Sequence, residues 1–168
     1  MSFAPDAVMT VGQLPDRLAA HYLLERYGLS LHELAAGTAL PGSFWGDSEA
    51  GIIQTSVYVR PDTPLHSLLH ESCHVICMDT ARRQTLHTDA GGTTDEEDAV
   101  CYLQILLAEY LPGFGKQRAL LDMDRWGYTF RLGSAQRWFE EDADDAKEWL
   151  LNYGLINPTG IPTFRVRA

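Results

Sequence analysis

The pair His70 and His74, separated by Glu71, Ser72 and Cys73, constrains this chain more than any other feature. Residues four apart on an α-helix lie one turn apart on one face, so two imidazoles at this spacing converge on one point. The flanks predict the helix: Thr63 and Pro64 are good N-cap and first-turn residues, and the helix runs to about Met78. Glu71 is offset by about 100° and points off the face of the two histidines. A zinc ion takes imidazole nitrogens as ligands and makes its bound water a nucleophile near neutral pH. Glu71 is then placed to take that water's proton and pass it to a leaving group. The bland alternative is a surface helix carrying two solvated histidines.

A catalytic zinc site usually has three protein ligands, and the third should come from a different element. The stretch Thr94-Asp95-Glu96-Glu97-Asp98-Ala99 offers four acids one loop downstream. It opens a helix predicted to about Tyr110, with Thr94 and Glu97 as a capping box and Pro112 and Gly113 as the stop. Glu96 shares a face with Ala99, Val100, Leu103 and Leu107, which should be buried. A buried carboxylate needs a partner, and a metal would supply one. Glu96 is therefore the first choice of third ligand, Glu97 the second and Asp98 the third.

The pentad is an HExxH motif, and Glu96-Glu97-Asp98-Ala99 matches ExxA. Together they resemble the gluzincin branch of the HExxH zinc metallopeptidases, where a glutamate from a second helix completes the site. The order of strand, HExxH helix, loop and glutamate-rich helix over 52–112 is similar to compact ImmA/IrrE-type domains. The resemblance implies zinc held by His70, His74 and Glu96, with Glu71 as general base and a peptide or protein as substrate. It also implies that the strand before the metal helix can pair with an extended peptide. Val100, four after Glu96, stands where related peptidases often place Asp or Asn.

The rest of the chain fits one zincin-like domain over 1–168. With 168 residues, 45% of them hydrophobic, the chain can bury a core. Pro15 and Gly28 bracket a first helix with Leu14, Leu18, Tyr22 and Leu23 at helical spacing. Ser30 and Glu33 look like a capping box for a short second helix ended by Gly37. Alternation over Ile52–Arg60 predicts a half-buried strand, with Phe44 and Trp45 as a candidate partner. Further helices are predicted near Lys116–Trp126 and, in two pieces, over Ser134–Tyr153. The tail after Asn157 should add an edge strand at most. The fold expected is α+β, mostly helical, with a small antiparallel sheet packed on the HExxH helix.

Charge and composition narrow the function classes. A net charge of −10, from 13 basic and 23 acidic residues, argues against a nucleic-acid partner. No apolar run approaches the roughly 20 residues that cross a bilayer, and the start of the chain lacks a basic leader region. Three cysteines do not make a disulfide framework, so a cytoplasmic location is expected. Cys73, Cys77 and Cys101 read as buried packing residues. His66 reads as an exposed first-turn residue, with an extra metal ligand or a group behind the metal site as the alternatives. His87, Tyr128, Tyr153 and Arg131 are unranked candidates for stabilising an oxyanion. The functional reading is zinc-dependent peptide hydrolysis. The alternatives are a catalytically weak, zinc-stabilised protein-binding module and a metal-free helical regulator.

Overall fold

A computed structural model describes residues 8–43 and 48–168. Phe44 and Trp45 lie outside them. The first helix, α1, spans Arg17–Arg26, with Asp16 as its cap: the Asp16 carboxylate accepts from Leu18 N at 3.0 Å. Its buried face is Ala20, Leu23 and Leu24, whereas Leu18 and Tyr22 are exposed. Gly28, at φ 76°, ends it in the left-handed region that glycine enters without a Cβ clash.

The stretch Ser30–Glu33 is a strand, β1, not the short helix that its capping-box pattern suggests. Its backbone pairs in parallel with Ser56–Val59, and Glu33 is drawn back to α1 by Arg17 at 2.9 Å and His21 at 2.8 Å. Long-range pairing overrides the local cap signal here. The expected strand over Ile52–Arg60 is two strands, β2 (Gly51–Ile53) and β3 (Ser56–Val59), joined at Gln54 and Thr55. Gln54 adopts φ 51°, and the register puts Ile53 opposite Ser56, a two-residue hairpin. The sheet order is β1-β3-β2, parallel on one side of β3 and antiparallel on the other. The sheet is thus mixed, where an antiparallel one was expected.

Helix α2 (Leu65–Cys77) packs on β2 and β3 and, on another side, on α4 (Thr94–Ala108). Both are buried nearly all round, as befits the centre of a core. Between them lies the short α3 (Thr80–Gln84), capped by Asp79. Helices α5 (Gly115–Trp126), α6 (Ala135–Glu141) and α7 (Asp144–Asn152) complete the molecule, and α4 contacts both α5 and α7. The result is an α+β fold, mostly helical. The tail forms an isolated bridge between Ile156 and Pro162, then crosses to the end of α2, where Arg167 N donates to Ile76 O at 2.8 Å. No helix among the described residues is long and apolar enough to cross a membrane.

Candidate metal centre

Helix α2 presents His70 and His74 toward the first turn of α4. Their Nε2 atoms are 3.1 Å apart. The two oxygens of Glu97 bridge the imidazoles, Oε1 at 3.1 Å from His70 Nε2 and Oε2 at 3.1 Å from His74 Nε2. These three groups are the only set of His, Cys, Asp or Glu with metal-ligand proximity among the described residues. The choice of Glu96 as the third member is corrected: the carboxylate beside the imidazoles is Glu97. Glu96 is buried, as its face predicts, but its partners are arginines. Arg82 Nη1 and Nη2 reach it at 2.7 and 2.8 Å, and Arg167 Nη1 at 3.1 Å. The cap of α4 is Thr93, one residue earlier than the pattern suggests; Thr93 Oγ1 accepts from Glu96 N. Asp98 is not in the cluster.

The cluster's chemistry fits zinc. Tetrahedral bonds of about 2.0–2.1 Å to nitrogen and oxygen hold donor atoms about 3.3 Å apart, close to the observed spacing. Three electron-pair donors this close repel unless protons or a cation lie among them. Gln104 settles how His70 is set. Its Nε2 faces the backbone carbonyl of His66 at 3.1 Å, and a carbonyl only accepts. Its Oε1 therefore turns to His70 Nδ1, at 2.8 Å, and that nitrogen carries the hydrogen. When His70 is neutral its Nε2 lone pair faces the cluster, the arrangement found behind metal-binding histidines; when it is protonated the same nitrogen donates to Glu97. His74 has no matching support: its Nδ1 is buried without a partner among the described residues.

Electrostatics follow the same geometry. Burial raises the pKa of Glu97, but hydrogen bonds from His70 and His74 outweigh it and hold the carboxyl well below the usual range. Burial also raises the pKa of Glu71, against the pull of His70 and His74. Glu71 lines two cavities. One, of about 390 Å³, runs past His70, His74 and Glu97 beneath the segment from Thr88 to Gly92. The other, of about 170 Å³, is walled by Glu49, His66, Trp126 and Tyr128.

Of the four oxyanion candidates, only Tyr128 stands at the centre. Its ring centroid is 5.6 Å from that of His70, and its hydroxyl lies 3.2 Å from His66 Nδ1. His87 bonds its neighbour Thr88, Arg131 forks onto Asp142, and Tyr153 lies under Arg167. His66 is 1% exposed, not a surface residue, and burial lowers its pKa to about 3. The three cysteines are free and buried, as packing residues should be. The outer edge of β2 is already occupied: Gln54 N donates to Leu86 O, and Thr88 N to Ile52 O. A peptide cannot add to that edge. The segment that replaces it as cleft wall has left-handed φ at Thr88, Gly91 and Gly92 and is no strand.

Gln104 escapes a reading that looks for acids and imidazoles. The signal for it is a lone amide inside the apolar run Val100–Ala108, where a buried polar group must have partners. The chain matches no family model, no curated protein and no solved structure.

Proposed function

We propose that this chain is a zinc-dependent peptidase in which His70, His74 and Glu97 hold the ion and Glu71 is the general base. The observation that carries the reading is the cluster of two imidazoles 3.1 Å apart with a Glu97 oxygen 3.1 Å from each, backed by Gln104 and open to a cleft that Glu71 also lines. Zinc, when bound, supplies Lewis-acid polarisation and lowers the pKa of water to about 7.

The remaining work falls to the chain's own residues. Glu71 accepts a proton at its carboxylate and returns it to the leaving amine; a carboxyl whose pKa is raised by burial is better matched to that exchange near neutral pH. Tyr128 and Trp126 line the smaller cavity, which Glu71 also borders. A substrate chain at Glu71 thus meets both an open cleft and an aromatic-walled pocket. The resemblance to gluzincins of the ImmA/IrrE type supports a peptide or protein as that substrate.

The test is a cleavage screen of unfolded proteins and peptide libraries read by mass spectrometry. Cleavage abolished by chelator, restored by zinc and strongly reduced in Glu71→Gln supports the peptidase. Zinc bound without any cleavage, the fourth position closed by protein, gives the chain to the binding-module reading instead.

A further inference from the structure

We infer that Glu96 is a positioning residue for the metal centre: gripped by Arg82 and Arg167, it sets the first turn of α4 so that Glu97 faces His70 and His74, and it holds the Ala90–Gly92 wall of the cleft. The inference rests on the reading of His70, His74 and Glu97 as a metal site.

Neighbouring residues on a helix point about 100° apart, so fixing one fixes the direction of the next. The Glu97 side chain is 45% exposed and meets the two imidazoles at 3.1 Å. Glu96 is only 3% exposed and takes three charge-assisted hydrogen bonds, two of them a fork from Arg82. The rotational setting of the first turn of α4 therefore comes from Glu96.

Both arginines carry that setting to the rest of the centre. Arg82 Nη2 also donates to Ala90 O at 2.7 Å, and a Cβ at Gly92 would collide with Glu96 Oε2. The cleft wall is thus moulded on the Glu96–Arg82 pair. Arg167 is held at the other ligand-bearing helix. Its Nη1 reaches Cys77 O at 3.3 Å, its backbone N reaches Ile76 O at 2.8 Å, and Arg83 Nη2 grips its carbonyl at 2.8 Å. One carboxylate thereby links the last turn of α2, one turn beyond His74, to the first turn of α4. A carboxylate placed only to stabilise the fold would have no reason to join both ligand helices and the cleft wall.

The experiment compares wild type with Glu96→Gln, Arg82→Lys, Arg167→Gln and, as a control, Asp95→Asn, an exposed acid of the same turn. Zinc affinity is measured by chelator competition, and the ligand geometry by the visible absorption of the cobalt-substituted protein. Hydrogen exchange of residues 88–92 reports the wall. Glu96→Gln should lose about 10- to 100-fold in zinc affinity and shift the cobalt bands, while Asp95→Asn matches wild type. Arg82→Lys, which keeps one bond to Glu96 but not the fork, should keep the cobalt spectrum and speed exchange in 88–92. If Glu96→Gln does not fold, Arg167→Gln decides, with a smaller affinity loss and an altered cobalt spectrum expected. A folded Glu96→Gln, or in its stead Arg167→Gln, with wild-type affinity and bands overturns the positioning role and leaves the metal site standing. A wild type that takes up neither zinc nor cobalt removes both.

Discussion

The side-chain carbonyl of Gln104 accepts the Nδ1 hydrogen of His70 at 2.8 Å, across 34 residues of chain. It is held in that orientation by the His66 carbonyl behind it. Gln104→Met keeps the bulk and removes both bonds, so His70 is free to take the other tautomer. Zinc affinity in a chelator competition should fall by about 10- to 100-fold, with the helical content unchanged. Unaltered affinity would show that His70 needs no support from α4.

Glu97→Ala should lose zinc, because it removes the third ligand of the cluster. The melting temperature of the zinc-loaded protein should fall in Glu97→Ala and in His74→Ala alike. At zinc 100-fold above its dissociation constant, binding adds about 2.7 kcal/mol to wild-type stability, and neither variant should show that gain. Elemental analysis of protein purified without chelator gives the stoichiometry, about one zinc per chain.

Glu71→Gln separates turnover from binding. Glu71 lines the cleft but is not among the three clustered donors, so zinc content should match wild type. Loss of a general base costs on the order of 10² to 10⁴ in rate, which a kcat measurement on any cleaved peptide would show. A variant with wild-type kcat would remove Glu71 from the mechanism.

His66 makes stability depend on pH. Burial, aided by the neighbouring His70, lowers its pKa from an ordinary 6.5 to about 3. Between those values the unfolded chain takes up a proton that the folded one refuses. The contribution of His66 is thus whole above pH 6.5 and erodes as the pH falls toward 3, by up to about 1.4 kcal/mol per pH unit. Urea unfolding at pH 7.5 and 5, with chelator present to silence metal binding, should show this loss in wild type and less of it in His66→Gln. Equal losses in the two proteins would mean that the ring is not kept neutral by the fold.

The helices were the readable part of this chain, because α4 carries its stop signal and apolar face within itself and the flanks of α2 mark its start. The HExxH pair was readable for the same reason: its geometry is internal to one helix. Ser30–Glu33 misleads because a strand and a capped helix compete there, and the deciding partner, β3, is 26 residues away at Ser56. Glu96 misleads differently. Its burial follows from periodicity, but a buried carboxylate is satisfied equally well by a metal or by guanidinium groups. Nothing near it in sequence shows that Arg82 and Arg167 arrive there. Glu97, half exposed beside two imidazoles, reads from sequence as the capping-box partner of Thr94, which competes with the ligand role.

The bond between Arg167 and Glu96 spans 71 residues. Closing a loop of that length costs entropy before any contact repays it, so the bond cannot lead the folding of the molecule. His70 and His74 come within reach of each other as soon as one helix turn forms. Arg82 can grip Glu96 early, but the third bond to that carboxylate forms only when the distant tail has arrived. On the proposed reading, a chain whose tail has not yet docked would offer a metal two imidazoles before a firmly held third donor.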